Sequence, residues 1–162
     1  MNAETEVRSY LLAKPDQGRS PKGSPHLFKA DASNTDGRFD FIVGSLVPMT
    51  GPPLHLHSQQ DDSFYILKGT LTVQVGEDVF DIGPGDFLSV PPGVAHTFGN
   101  LHNDGDPVRA INIMTPGGHF DMFEKMGAVE EGPNQAELVR QAAGQFGTEI
   151  IGPPLRVRLG LE

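Results

Sequence analysis

The sequence predicts an all-β fold, either a sandwich or a closed barrel, followed by short helices. Between residues 39 and 115, short runs rich in Val, Ile, Phe and Thr succeed one another, each closed by Gly, Pro, Asn or Asp. The 162 residues include 20 Gly and 14 Pro, which lie between the apolar runs and form no repeat. No helical pattern separates the runs, so parallel βαβ units are disfavoured.

The strands are expected in the following order. Two short ones precede the main block, at Tyr10–Ala13 and His26–Ala30, with loop composition between them. Phe39–Val47 opens the main block, and PMTGPP ends it because proline fixes φ and removes a donor. Seven strands then follow: LHLH, SFYILKG, TLTVQVG, VFDIG, DFLSVP, AHTFGN and VRAINIMT.

After Pro116 the pattern becomes helical. Phe120, Phe123 and Met126 recur every third residue, which predicts a short amphipathic helix ending near Gly127. NQAELVRQAAGQFG predicts a second helix with Asn134 at its N-cap, so the helical segment spans about 119–147. The final PPLRVRLGLE is expected to be a tail. Without a repeat or linker, residues 1–162 are predicted to be one domain with its core at about 39–115.

Composition narrows the function. The chain has no cysteine, which excludes thiol catalysis, zinc–thiolate sites and disulfides, and predicts a reducing cytoplasm. The N-terminal MNAETEVRSY has no apolar signal core, and no run approaches the roughly 18 apolar residues of a membrane span. A net charge of −9 disfavours nucleic-acid binding.

Three histidines and an aspartate in the central strands predict a metal site. His55 and His57 alternate with leucines in LHLH, so on a strand they share one face, about 7 Å apart. Buried imidazoles are costly unless something binds them, and one metal ion would satisfy both; exposed surface histidines are the alternative. Asp62 and His96 complete a set of nitrogen and oxygen donors that suits Fe, Ni, Mn, Co, Zn or Cu and leaves positions open for substrate or dioxygen.

The other histidines have less suggestive surroundings. His26 and His102 lie in loop-like sequence and are expected to be solvated. His119 follows two glycines at a helix start, where packing or a cap is a better interpretation than metal ligation.

Two ordered motifs carry a family resemblance. PLHLHSQQDDSFYILKG follows G-x5-HxH-x3,4-E-x6-G, the first motif of the cupins, and the second, G-x5-PxG-x2-H-x3-N, is matched at Gly85, Pro91, Gly93, His96 and Asn100. The chain therefore resembles the cupin superfamily over residues 39–115, and it is most similar to quercetinase-type (quercetin dioxygenase-like) single-domain bacterial cupins.

The chain departs from the first motif at two positions. Met49 stands where the motif has its opening Gly, and Asp62 stands where it has Glu. Counting back from Gly69 selects Asp62 and leaves Asp61 as a turn or supporting carboxylate. Aspartate is one methylene shorter, so direct ligation, ligation through water and a free carboxylate acting as base all stay open for Asp62.

The resemblance implies a jelly-roll barrel of two antiparallel sheets with one divalent metal ion inside one end. The HxH histidines are then expected to meet His96 across the two sheets. It further implies a metal-dependent dioxygenase acting on a small aromatic or enolic substrate, with Asp62 as catalytic base. The alternatives are a non-oxidative isomerase or polyketide-type cyclase and a non-catalytic small-molecule-binding cupin.

Substrate contacts are predicted from residues that share a strand face with the ligands. Phe64 lies on the face of Asp62, Phe98 on the face of His96, and Asn112 and Met114 lie together on a further strand. Core packing is the alternative for the apolar three. A homodimer formed by pairing of sheet edges is also expected.

Overall fold

A computed structural model describes residues 10–102 and 105–161 of the chain. In these ranges the fold is two five-stranded antiparallel sheets with three short helices. The strands are β1 (Leu27–Ala30), β2 (Asp40–Leu46), β3 (Pro53–His57), β4 (Asp61–Lys68), β5 (Leu71–Val75), β6 (Asp78–Ile82), β7 (Phe87–Val90), β8 (His96–Gly99), β9 (Val108–Thr115) and β10 (Thr148–Pro154). The helices are α1 (His119–Gly127), α2 (Gln135–Gly144) and α3 (Leu155–Arg158).

The first sheet has the order β1-β2-β9-β4-β7 and the second the order β10-β3-β8-β5-β6. Consecutive strands therefore often lie in different sheets, which is the jelly-roll arrangement that the resemblance implied. Every strand of the main block forms where the sequence predicts it, as does β1. No helix in the described ranges is long and apolar enough to cross a membrane.

Two expectations about the ends of the fold were wrong. The segment Tyr10–Ala13 forms no strand: Tyr10 is 78% exposed, and no strand pairs with this segment in the described part of the chain. A short apolar run of four residues does not form a stable strand without a partner edge.

The second error concerns PPLRVRLGLE, which was expected to be a tail but contains the last two residues of a strand that the sequence did not predict, followed by a short helix. Residues 148–154 form β10, which pairs with β3 and extends the second sheet, and Leu155–Arg158 then form α3. Pro153 and Pro154 disfavour a strand on sequence grounds, but a missing N–H donor is tolerated in a strand at the edge of a sheet. Asn134 does stand at the N-cap of α2, but its side chain makes no capping hydrogen bond.

Apolar side chains from both sheets form the core. On β4, Asp62, Phe64 and Ile66 are buried and alternate with more exposed residues, as a strand with one face inward requires. Two buried clusters result. One lies between the two sheets and consists of Ile66, Leu71, Val73, Ile82 and Val108. The other lies between the first sheet and α1 and consists of Phe28, Ile42, Met114 and Phe120.

The connection between β2 and β3 contains the motif position where Met replaces Gly. Met49 has φ of 62°, in the left-handed region that glycine adopts at little cost. Its N–H donates to the Asn100 carbonyl at 2.6 Å. The turn thus keeps the backbone shape that the motif's glycine would suit, although the residue is not glycine.

Candidate metal centre

The four predicted ligands come together at one point between the sheets. His55 and His57 project from β3, and His96 projects from the adjacent β8, where it is the register partner of His55. Asp62 comes from β4 in the opposite sheet. The expectation that His96 meets the HxH pair across the sheets was therefore wrong, because the three histidines share one sheet and the carboxylate crosses.

The donor atoms of these four buried side chains lie within 4.8 Å of one another. Asp62 Oδ2 is 3.0 Å from His96 Nε2 and 3.3 Å from His57 Nε2. The short aspartate side chain therefore reaches the histidines directly, and distance gives no reason to place a water between them.

Hydrogen bonds on the far side of the rings orient two of the histidines. His55 Nδ1 lies 2.7 Å from the Pro53 carbonyl oxygen, and His96 Nδ1 lies 2.9 Å from the Val94 carbonyl oxygen. A carbonyl can only accept, so each Nδ1 carries a proton, and each ring in its neutral form presents the Nε2 lone pair to the centre. This is the tautomer that metal ligation by Nε2 requires.

The resulting arrangement fits a metal ion. In that tautomer His96 Nε2 and Asp62 Oδ2 are two acceptors facing each other at 3.0 Å, which requires a cation between them, either a proton or a metal. Ligand atoms about 2.1 Å from a shared ion lie roughly 3.0–3.4 Å apart in octahedral or tetrahedral geometry, close to the distances seen for Asp62. Three imidazoles and a carboxylate suit a divalent ion, and the metal's identity is left open.

Electrostatics favour the ligating forms of His55 and Asp62. Burial, together with the neighbouring His96 and His57, lowers the pKa of His55 to about 4, so its ring is neutral at pH 7. Burial alone would raise the pKa of Asp62, but the contacts with His57 and His96 outweigh it and hold that pKa below its usual range. A neutral imidazole beside an ionised carboxylate is what a metal ion binds.

Two further residues support the ligands. Thr148 on β10 places its Oγ1 2.9 Å from His57 Nδ1, and Asn112 donates from Nδ2 to Asp62 Oδ1 at 2.6 Å and to the Ser63 carbonyl at 3.0 Å. Asn112 was predicted to bind substrate. In the structure its side chain orients the Asp62 carboxylate. Thr148 was missed, because no motif marks it and its strand was not predicted.

An apolar cavity of about 140 Å³ opens onto the centre. All four predicted substrate-binding residues line it, and the Phe64 and Phe98 rings pack edge to face with centroids 5.0 Å apart. These side chains thus both pack the core and face the space a ligand would occupy. Other apolar wall residues come from β2 and α1, namely Ile42, Leu46, Met122, Phe123 and Met126.

The remaining histidines only partly follow expectation. His102 is half-exposed, as expected. His26 is not simply solvated: it lines the cavity, and its Nδ1 is buried without a hydrogen-bond partner in the described ranges. His119 is buried in the cavity wall with its ring centroid 4.8 Å from that of His57, but it does not belong to the four-ligand group.

Comparison with known families agrees with this architecture. Residues 42–114 match the family model of the cupin domain. This range runs from β2 to β9 and contains all four ligands. Residues 42–114 of the chain thus form a cupin domain.

Among characterised proteins, the chain is similar to quercetin 2,3-dioxygenases. It is 30% identical to the enzyme of Bacillus subtilis over 125 residues, which are 76% of this chain and 36% of that protein. It is 26% identical to the enzyme of Aspergillus japonicus over 135 residues, 78% of this chain and 38% of that protein. The chain thus matches well under half the length of these relatives.

A solved structure with a similar fold is an uncharacterized conserved protein with a double-stranded β-helix domain from Klebsiella pneumoniae. It has a TM-score of 0.50 and 20% identity, and the match covers 62% of this chain and 84% of that one. At this identity the likeness concerns the fold alone.

Proposed function

We propose that this protein is a metal-dependent dioxygenase that acts on a small aromatic or enolic substrate, as the quercetinases do. The observation that carries the proposal is the buried set of His55, His57, His96 and Asp62 at the wall of an apolar cavity. The similarity to two quercetin 2,3-dioxygenases over three quarters of the chain supports the oxidative reaction.

In this proposal the four side chains hold one divalent ion, which supplies Lewis acidity and, if it is redox-active, a route for electrons to dioxygen. Fe, Ni, Mn, Co, Zn and Cu all accept this donor set, and cellular supply decides among them. The cavity's apolar wall excludes water and packs against the rings or chain of the substrate, with Phe64, Phe98 and Met114 as the predicted contacts.

Asp62 has two candidate roles, ligand and catalytic base. Its Oδ2 faces the histidines and its Oδ1 is held by Asn112, so both oxygens are engaged in the folded protein. This favours the ligand role. The base role needs one oxygen to leave its partner and take the proton of a substrate hydroxyl. Asp62→Glu keeps the negative charge and lengthens the side chain. Asp62→Asn keeps the size but removes the negative charge on which both roles depend.

Oxygen uptake is the direct test. The purified chain, loaded separately with Fe, Ni or Mn, should consume oxygen when given quercetin or 3-hydroxyflavone, and His57→Ala treated in the same way should not. A matched control is His102→Ala, since His102 lies half-exposed beside Asp81. Substrate turnover that persists without oxygen would instead indicate a non-oxidative isomerase or cyclase, and binding without turnover in any metal form would indicate a binding protein.

We further propose that the protein acts as a homodimer joined through sheet edges. Unpaired edge strands present donors and acceptors to a second copy, and β6 and β7 are edges of the two sheets. Phe87 on β7 is 66% exposed, which gives that edge an apolar side chain to bury. A monomeric mass by light scattering would contradict the dimer.

A further inference from the structure

His119 is a buried side chain whose polar atoms have no partner in the described ranges. It is 4% exposed, and neither Nδ1 nor Nε2 makes a hydrogen bond. Buried polar groups in native proteins are almost always paired, so an imidazole without partners on either nitrogen requires an explanation. Its surroundings suggest one, because the ring lies in the cavity wall.

The backbone fixes His119 in this place. Its N–H and that of Gly118 donate to Asp40 Oδ2 at 2.8 and 3.0 Å, and Asp40 also accepts from the Ala32 N–H at 3.0 Å. The Asp40 carboxylate is fully buried, so these contacts anchor the first turn of α1 to the first sheet. The His119 ring is thereby held at the cavity by the start of a helix and not by a loose loop.

His119 lies beside the metal ligands without being one of them. Its ring centroid is 4.8 Å from that of His57 and 6.2 Å from that of Phe123, at the boundary between the polar end of the cavity and its apolar wall. A neutral imidazole offers one N–H donor and one acceptor, and neither ring nitrogen of His119 is paired within the described ranges.

We infer that His119 is a substrate-binding residue, which hydrogen-bonds an oxygen of the ligand next to the atom held at the metal centre. This rests on the proposed function, since it assumes a ligand in this cavity. Apart from the metal-ligand set, Asn112 and His26, the polar groups near that end are few, while the wall residues Ile42, Phe64 and Met122 are apolar. The site therefore favours an apolar molecule with two neighbouring oxygens over one with a single oxygen.

The test compares two ligands of nearly equal size on the zinc-loaded protein under anaerobic conditions, so that no oxidation consumes the ligand. 3-Hydroxyflavone has a hydroxyl next to its ketone, and flavone has the ketone alone. Dissociation constants are measured by fluorescence or absorbance titration for the wild-type protein, His119→Leu, His119→Phe, His119→Gln and the control His102→Leu. Zinc content and circular dichroism are recorded for each, and two apolar variants are used so that misfolding of one does not remove the test.

The apolar variants should weaken 3-hydroxyflavone binding about tenfold, the usual effect of leaving one buried hydrogen-bonding group unpaired, and should leave flavone binding and zinc content unchanged. His119→Gln should restore most of the affinity, and His102→Leu should match the wild type. A purely structural role would weaken both ligands alike.

Three outcomes would overturn the inference: equal loss for both ligands, no loss in folded apolar variants, or no binding of 3-hydroxyflavone to the wild-type protein. Oxygen uptake is a separate measurement. If the binding pattern appears but no metal form consumes oxygen, the dioxygenase reaction is wrong and the role of His119 stands.

Discussion

The two sheets contribute to the metal centre in different ways. The second sheet supplies three imidazoles from the adjacent strands β3 and β8, and two of these rings are fixed by backbone carbonyls only two residues away. The first sheet supplies one carboxylate, which is oriented by Asn112 from the neighbouring strand β9. Histidine orientation is therefore largely local, whereas the carboxylate depends on a contact between distant parts of the chain.

This difference has a consequence for assembly of the site. The histidines can approach ligating geometry once β3 pairs with β8. The charge that balances the metal arrives only when the two sheets pack against each other. The centre is thus complete only in the closed sandwich, and metal binding should stabilise the packing of one sheet on the other as well as the fold of each.

The largest loss of metal affinity is expected when a candidate ligand on the second sheet is removed. His57→Ala and His96→Ala should each lower metal affinity by at least a hundredfold, because a coordination bond and a fixed lone pair are lost together. Metal per chain after dialysis, measured by elemental analysis, checks this. His102→Ala and His119→Leu should retain wild-type metal content, and equal loss in these two would contradict the ligand assignment.

Removal of a supporting residue should have a smaller effect and should differ between the sheets. Asn112→Leu removes the donor to Asp62, and Thr148→Val removes the hydroxyl beside His57 with little change of shape. Loss of such supporting contacts typically lowers metal affinity about 10–100-fold. Asn112→Leu is expected at the upper end, because its hydrogen bond is to a charged group.

Competition titration with a chelator of known affinity measures both variants. Ser63→Ala serves as a control of similar location, since the Ser63 hydroxyl pairs with that of Ser89 on the exposed face. A larger loss for Thr148→Val than for Asn112→Leu would reverse the comparison between the sheets.

The same difference explains what could be predicted from the sequence. The HxH spacing on one strand, the second motif around His96 and the alternation on β4 are local patterns, so the candidate ligands and the strands that carry them could be predicted from the sequence. Which sheet each strand joins is a long-range property, and His96 was accordingly expected in the wrong sheet. Thr148 and β10 lie outside the motifs, and a strand with two prolines gives little signal.

His119 shows a second limit of the sequence. Its position after two glycines indicates a helix start, which α1 confirms. That the ring enters the cavity depends on how α1 packs, and that packing is set by the buried Asp40 some 80 positions earlier. No pattern within the helix contains this information.

Acid should destabilise the metal-free protein in two separate pH ranges, one for each sheet. The pKa of His55 falls to about 4 on folding, so below its ordinary value of 6.5 the unfolded chain takes up a proton that the folded chain does not. The contribution of the neutral His55 to the free energy of unfolding is complete above pH 6.5 and is lost as the pH falls towards 4. The pKa of Asp62 is also lowered, so its contribution is complete above 3.8 and is lost only at lower pH.

Between pH 7 and pH 5, titration of His55 should lower the free energy of unfolding by about 2 kcal/mol. This follows from roughly 1.4 kcal/mol per pH unit over the range in which only the unfolded chain takes up the proton. Urea unfolding of the chelator-treated protein at both pH values measures it. His55→Gln should reduce this dependence without abolishing it, because burial also lowers the pKa of His119, to about 3, and its share remains. His102→Gln should leave the dependence unchanged. Equal stability of the wild-type protein at the two pH values would contradict the neutral, buried state assigned to His55.

The smallest effect concerns the turn that leads from the first sheet to the second. Met49 holds φ of 62°, a conformation that costs a residue with a side chain about 1 kcal/mol or more. Met49→Gly removes this cost but adds freedom to the unfolded chain, so the net stabilisation should be about 0.5–1 kcal/mol in urea unfolding. Met49→Ala keeps the Cβ and the strained φ, so it should not stabilise. If Met49→Gly were no more stable than Met49→Ala, the strain assigned to this turn would be wrong, and the motif's glycine would owe its place to something other than backbone conformation.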